Sequence, residues 1–429
     1  MTKIFQPVSY YSRYEKHFIL LKSFITTGGV QALVQGLTLL TGIMIIRLLP
    51  TKEYAYYTIA NTVLGTMILL SDSGINNGIL SQGGPVWQSK TGLGKVITTG
   101  LALRKKFAFI SFCVSIPVLL FLLIKQGASW QTNILIILAL IPAYFSASSD
   151  SILEIPSKLH QDLQLLQVNQ LLVSVGRFIL SGILLIIFPW TFISLIANGI
   201  PRIYGNLQLR KNITKYIDIH QPQDEFTKTE MIKIIKRIFP LTVYYAYSSQ
   251  IVIWLVSLTG SVLAVAEVGA LGRIAMMLNL LSILFATLII PRFARLELER
   301  HILFRKFTQI IIALIALNIL LILISSIFSH QILWLLGKEY LHLTGPLLLS
   351  ISGSSISLIS GCIYGVYSCR GWTIHPVLSI ILNVSGIMLG LFLIDTSTLN
   401  GILMFNIFNA AVQLSINMIF CLYKIIKIN

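Results

Sequence analysis

The sequence predicts an all-α membrane protein of about twelve transmembrane helices, arranged as two six-helix halves. Composition is the first observation: 55% of the 429 residues are hydrophobic and only 11% are charged, whereas a soluble chain carries about 25% charged residues. Mean hydropathy is +0.82. Apolar runs of about 20 residues recur along the chain, which is the length that crosses a hydrocarbon core of about 30 Å.

The apolar runs fix the predicted domain organisation. In chain order the predicted spans are 24–49, 54–80, 103–124, 132–153, 166–188, 190–208, 238–259, 262–291, 307–328, 344–368, 374–394 and 398–423. They define a tail 1–23, a first half 24–209, a polar linker 210–235, a second half 236–423 and a tail 424–429.

Lys and Arg predict the orientation, because cytoplasmic loops carry an excess of both. Of the 32 such residues, only Arg47, Lys52, Lys125 and Lys338 fall on one side, two lie inside spans, and the others share the opposite side. That side is therefore predicted to be cytoplasmic, together with both termini. The first span is too long for a cleaved signal peptide, so we expect it to stay in the membrane. The net charge of +17 is explained in this way, and nucleic-acid binding is not predicted.

The two halves resemble copies of one unit. An offset of 214 residues aligns their features in pairs: Lys22 with Lys236, Glu53 with Glu267, and Asn169 with Asn383. Six spans per half give both halves the same orientation. The expected arrangement is a parallel repeat about an axis normal to the membrane, with a substrate site between the halves.

Arg273 and Arg177 are the strongest candidate site residues. Each lies inside an apolar run and near mid-depth of its span. A cation there costs about 2.5–3.5 kcal/mol on insertion scales, so such residues normally face a cavity or pair with an acid. Arginine suits a phosphate because its planar fork binds two oxygens and stays charged. Both residues are therefore predicted to bind an anionic group, and pairing with a structural acid is the alternative.

Other polar and aromatic residues have two interpretations each. Sugar stacking or an aromatic belt at the interface is considered for Tyr244, Tyr245, Tyr247, Trp254, Tyr54, Tyr56 and Tyr57. Glu53 and Glu267 open spans, where a carboxylate favours a helix N-terminus; proton coupling or pairing with an arginine is the alternative. Asn169 and Asn383 are candidates for hydrogen bonds between helices or to substrate.

No pattern indicates catalysis, a cofactor or a metal. The sequence has no phosphate-binding loop, and its seven histidines are scattered. The four cysteines have neither metal-ligand nor disulfide spacing. Asp72, Asp150 and Glu154 lie near cytoplasmic span ends, where we expect them to be solvated.

Several blocks resemble bacterial polysaccharide flippases of the multidrug/oligosaccharidyl-lipid/polysaccharide exporter superfamily. They are Arg47-Leu48-Leu49-Pro50, Glu53-Tyr54-Ala55-Tyr56-Tyr57, Asp72-Ser73-Gly74-Ile75, the stretch Leu93–Lys106, Val268-Gly269 and Ile290-Pro291-Arg292-Phe293-Ala294. Ala55 departs from the family, which has glycine there.

The resemblance implies translocation of undecaprenyl-pyrophosphate-linked oligosaccharide across the bacterial inner membrane. Implied partners are that lipid-linked oligosaccharide and membrane lipids, and the polysaccharide polymerase and chain-length proteins are candidates. One alternative is a multidrug or metabolite antiporter of the same superfamily, in which we expect buried carboxylates. A membrane enzyme of lipid-linked sugar assembly is a further alternative, which the short outer loops disfavour.

Overall fold

The fold is described from a computed structural model of the chain. It describes residues 11–160, 162–294, 296–297, 299–370, 372 and 374–428, and their side chains from residue 29 onward except those of 287, 288 and 291. The first ten residues of the predicted tail 1–23 lie outside the described residues.

Helices account for every regular element in the described part of the chain. In order they are α1 (Tyr11–Leu48), α2 (Thr51–Asp72), α3 (Ile75–Gly83), α4 (Lys90–Lys125), α5 (Trp130–Leu153), α6 (Ile155–Leu159), α7 (Leu163–Ile187), α8 (Thr191–Ile213), α9 (Glu225–Ser248), α10 (Ile251–Thr259), α11 (Val262–Ala275), α12 (Leu278–Leu288), α13 (Ile290–Ala294), α14 (Arg300–Ile327), α15 (Ser329–Leu336), a 3₁₀ turn (Lys338–Tyr340), α16 (Thr344–Ser368), α17 (Pro376–Leu393) and α18 (Leu399–Ile426).

The predicted all-α membrane class is confirmed. Within the described residues, nine helices are long and apolar enough to cross a membrane, and a tenth span results if α9 and α10 are counted together. Two further predicted spans correspond to α2 and α8, of 22 and 23 residues. Both helices contribute polar side chains to an internal cavity, such as Asn61, Asn198 and Arg202.

Three predicted single spans are divided in the structure. The run 54–80 splits into α2 and α3 at Ser73 and Gly74, which both have positive φ, 44° and 86°. The run 238–259 bends by 50° between α9 and α10. The run 262–291 breaks between α11 and α12 at Met276 and Met277. Backbone hydrogen bonds continue across this third division, so it is a tight turn within one span. It bears on the site below because it follows Arg273 by three residues.

The two halves use the same helix pairings. In the first half α8 packs on α5 and on α7, and in the second half α18 packs on α16 and on α17. These are the fourth, fifth and sixth spans of each half, as a repeat of one unit requires. The segment between the halves is shorter than the predicted linker, because α8 continues to Ile213 and α9 begins at Glu225.

The buried core is joined at one end of the bundle and divided at the other. The largest cluster contains residues of both halves, for example Leu49 and Val265, and lies at the end that the charge bias assigns to the outer side. At the predicted cytoplasmic end, Ile79 and Val366 belong to two separate clusters. The cluster that contains Ile79 is formed by the first half together with the start of α9. The cluster that contains Val366 is formed by the second half. At the predicted outer end the two halves therefore share one buried cluster, whereas at the predicted cytoplasmic end each half has its own and α9 packs on the first half.

Candidate substrate cavity

Three arginines line one cavity between the halves. We call it the arginine cavity; its volume is about 210 Å³, and Arg177, Arg202 and Arg273 line it. Its wall comes from α1, α2, α5, α7, α8 and α11, so five helices of the first half face one helix of the second. Its other polar lining residues are Thr38, Thr41, Tyr57, Asn61, Ser174 and Asn198. The structure thus brings the two arginines predicted from sequence to one site.

Arg273 reaches the cavity from the break in the second half. It lies in the last turn of α11, before the turn at Met276 and Met277. Its side chain crosses to the first half and packs on Gly42 of α1; a Cβ there would stand 3.2 Å from Arg273 Cδ. Its guanidinium carbon is 5.6 Å from the ring centre of Tyr57, a cation–π distance. Among the described residues, no carboxylate forms a salt bridge with Arg273.

Arg177 enters from α7, in the middle of the first half. Close helix packing positions it, because a Cβ on the adjacent Gly176 would lie 3.1 Å from Pro201 of α8. The Nε atom of Arg177 is buried and has no hydrogen-bond partner in the described part of the chain. A buried donor without a partner costs about 1–3 kcal/mol, and more when it is charged. Arg177 is therefore poised for a ligand that accepts hydrogen bonds.

Arg202 is the cavity residue that the sequence analysis missed. The charge bias predicts Arg202 on the cytoplasmic side, but it lies within α8, directly after Pro201, lines the cavity, and its Nε donates to Asp150 Oδ2 at 3.0 Å. Asn206 donates to the other oxygen of Asp150 at 2.6 Å. The expectation that Asp150 is solvated is therefore wrong, because this carboxylate is paired. A cation close to a proline within an apolar run is the signal that could have identified Arg202.

The electrostatic balance of the site is positive. Asp150 and Glu154 line a second cavity of about 230 Å³ that shares Arg177 and Arg202 with the arginine cavity. Asp150 neutralises Arg202, and Glu154 is paired with Lys158 at 2.7 Å. Arg177 and Arg273 therefore remain as two positive charges without a carboxylate among the described residues.

The predicted acidic residues bind polar groups other than arginines. Glu53 accepts hydrogen bonds from the backbone N–H and the hydroxyl of Thr191, at 2.8 and 2.6 Å. It thus stabilises the N-terminus of α8 rather than that of its own helix. Glu267 is buried and lies 2.9 Å from Nε2 of His342. Neither carboxylate lines the arginine cavity.

Most of the predicted aromatic residues lie away from the cavity. Tyr57 is the exception, because it lines the arginine cavity. Tyr56 is buried and donates to the Gln126 carbonyl at 3.4 Å. Tyr54 is fully buried and stacks on Tyr57, with 6.1 Å between the ring centres. The remaining four form two ring pairs on α9 and α10: Tyr244 with Tyr245 at 5.3 Å, and Tyr247 with Trp254 at 6.0 Å.

The two predicted asparagines differ in their partners. Asn169 of α7 donates to the Gly205 carbonyl and to Gln208 on α8, at 2.9 and 3.0 Å, so it joins two helices. Asn383 donates to the Ser379 carbonyl at 2.8 Å, within its own helix. The Asp72 carboxylate, another residue expected to be solvated, lies 2.6 Å from the buried Arg104.

Polar contacts tie the halves together at the predicted outer end. Arg47, at the end of α1, donates to the carbonyls of Leu335 and Trp334 in α15, at 2.9 and 2.6 Å. Lys125 donates to the Leu258 carbonyl of α10, and Gln126 donates to Ser257 of the same helix. Two of the four cations that the sequence places outside thus bind across the interface between the halves.

Solved structures share this architecture. An inward-facing multidrug resistance MATE family transporter of the MOP superfamily is 14% identical, with a TM-score of 0.75, 92% of this chain and 95% of that chain covered. The outward-facing conformation of a multidrug resistance MATE family transporter is 14% identical, with a TM-score of 0.60; 94% of this chain and 93% of that chain are covered. MATE in complex with MaL6 is 15% identical, with a TM-score of 0.63, and 93% of each chain is covered. Neither a family model nor a curated protein matches the sequence.

These similarities show that the chain shares its fold with MATE family transporters, and two of the matching structures are described as members of the MOP superfamily. MATE transporters, which share the fold, are not enzymes.

Proposed function

We propose that the chain is an alternating-access membrane transporter for an anionic, lipid-linked substrate. The substrate class is an oligosaccharide attached to undecaprenyl pyrophosphate, moved from the inner to the outer leaflet of the bacterial inner membrane. One observation carries the proposal: Arg177 and Arg273 share a cavity between the halves, and neither has a carboxylate partner among the described residues.

The chemistry of the cavity supports a pyrophosphate. Two arginines can bind its oxygens through paired N–H donors, and the dianion would compensate the two free charges. Arg177 belongs to the first half and Arg273 to the second. A bound dianion would therefore attract both halves at once. This couples occupancy of the site to the relative position of the halves, as alternating access requires.

A second candidate function is export of drugs or metabolites. The specific observation in its favour is the shared fold with multidrug resistance MATE transporters. A cationic drug would be repelled by the two free arginines, and the carboxylates Asp150 and Glu154 at the adjacent cavity are already paired. We therefore rank this function second, although the comparisons with solved structures favour it.

Deletion and complementation separate the two functions. We expect deletion of the gene to remove surface polysaccharide and to leave lipid-linked units on the cytoplasmic face of the membrane. Complementation with Arg273→Ala or Arg177→Ala should restore export poorly, and Arg273→Lys should restore it in part, because lysine lacks the fork of two donors. Arg305→Ala removes an exposed arginine of α14 and is the matched control.

Two results would contradict the proposal. Normal surface polysaccharide after a clean deletion would remove the substrate assignment. Unchanged export by Arg273→Ala at matched abundance would show that the anion is held elsewhere. If expression of the wild-type chain instead protects an efflux-deficient bacterium against cationic dyes, the drug-export function replaces the first.

A further inference from the structure

The second half contains a larger cavity that carries no charge. We call it the serine cavity; its volume is about 380 Å³, and it lies among α10, α11, α12, α16 and α18. Its polar side chains are five serines, two asparagines and one glutamine. The described residues that line it include neither a charged side chain nor an aromatic ring.

Within the described residues, the polar side chains of the serine cavity have no hydrogen-bond partner. Ser350 is 7% exposed, lines the cavity, and forms no side-chain hydrogen bond within the described residues. The same holds for the side chains of Ser354 and Asn406. Serines in helices commonly bond back to a carbonyl one turn earlier, as Ser368 and Ser415 do here, at 3.2 and 2.9 Å. The cavity therefore presents free donors and acceptors.

One turn of α11 separates the two cavities. Gly272 and Ala275 line the serine cavity, Arg273 lines the arginine cavity, and Met276 lines both. A ligand whose phosphate lies against Arg273 would reach the serine cavity with the group attached to that phosphate.

We propose that the serine cavity binds the neutral, hydroxyl-rich sugars of the substrate whose pyrophosphate lies in the arginine cavity. This inference rests on the proposed function and assigns a sugar subsite to the second half. Hydroxyl and amide groups both donate and accept hydrogen bonds, which suits sugar hydroxyls. Apolar residues of the same wall, such as Val252 and Leu358, can pack on the C–H faces of a sugar ring. Recognition would use hydrogen bonds instead of the aromatic stacking predicted from the sequence.

The test compares lipids with and without sugars on the full-length chain in nanodiscs. The probes are undecaprenyl pyrophosphate alone and the same lipid carrying a neutral disaccharide that begins with an N-acetylhexosamine, a hexose or a deoxyhexose. We expect at least one glycosylated lipid to bind wild type about tenfold more tightly than the bare lipid, as a few net hydrogen bonds would give. Ser350→Ala/Ser354→Ala/Asn406→Leu should lose this gain and keep its affinity for the bare lipid.

Ser368→Ala/Ser415→Ala removes two serines outside the cavity and is the control, expected to bind like wild type. If the triple variant does not fold, a single Ser354→Cys in a chain whose four native cysteines are replaced gives a second readout. The glycosylated lipid should protect this thiol from alkylation, and the bare lipid should not.

The outcomes separate the two proposals. Equal affinity of wild type for bare and for every glycosylated lipid would overturn the sugar subsite and leave the transport function standing. A triple variant that keeps the gain would also overturn it. If wild type binds neither kind of lipid, the proposed function falls and the subsite falls with it.

Discussion

Arg47 allows a quantitative test of whether the predicted outer side is held closed by contacts between the halves. Its guanidinium donates to two carbonyls of α15, and Arg47→Ala removes both bonds. Hydrogen bonds of charged groups contribute about 1.5–3 kcal/mol each. Arg47 is exposed, so water competes for its donors. We therefore take about 2 kcal/mol as the combined contribution of the two hydrogen bonds to the closed state. At about 1.4 kcal/mol per factor of ten, the outward-open population should rise about thirtyfold.

Cysteine accessibility measures that population. Ser174 lines the arginine cavity, so Ser174→Cys in a chain without the four native cysteines reports entry of a membrane-impermeant maleimide from outside. When opening is rare and fast, the labelling rate follows the outward-open population, and Arg47→Ala should label about thirtyfold faster. Lys52→Ala is the matched control, because Lys52 is a neighbouring exposed cation that lies over Tyr56 of its own half. Equal labelling rates for the two variants would refute the closure by Arg47.

Three further predictions concern packing and topology. Arg104→Ala should destabilise the chain by about 3–5 kcal/mol, because it leaves the Asp72 carboxylate without its buried partner; thermal unfolding in detergent should show a smaller loss when Asp72→Asn is added. Gly269→Val should separate α2 from α11, because even a Cβ at this position would stand 2.3 Å from a threonine hydroxyl of α2. The variant should therefore speed labelling of Ser174→Cys from outside. Gly272→Ala is the control and should not, because a Cβ there has nothing within 4 Å. His220→Cys, between the halves, should react only with a reagent that reaches the cytoplasm, and labelling from outside in intact cells would reverse the predicted orientation.

Hydropathy was sufficient for the class of fold and for singling out the two arginines that line one cavity, whose role in binding stays a prediction. A cation inside an apolar run is conspicuous in any window, so Arg177 and Arg273 could be predicted without knowing their neighbours. The break after Arg273 could not be predicted, because Met276 and Met277 are apolar and neither is a helix breaker. Hydropathy averages over about 20 residues and does not detect the local geometry of a two-residue turn.

Pairings across the bundle were beyond the sequence for a different reason. Arg202 appeared to be a surface cation because charge counting assigns each residue near a span end to a loop. Its true position depends on α8 running beside α5, which places Asp150 opposite it. Glu53 likewise finds Thr191 only because two distant helix ends meet. Such contacts follow from the packing of helices, and the composition of a single span does not encode them.

Under the proposed function, the two arginines without a carboxylate partner among the described residues would also make transport sensitive to the membrane potential in a state-dependent way. A unit charge that crosses the whole field exchanges about 2.3 kcal/mol per 100 mV. If each arginine passes through about a quarter of the membrane field when the cavity changes sides, the two charges together change the free energy by about 1.2 kcal/mol per 100 mV. An interior-negative voltage draws these cations inward and so favours the inward-facing form of the empty protein. A pyrophosphate dianion cancels both charges, so the loaded protein would turn outward almost without opposition from the voltage. The voltage would then reset the carrier after release.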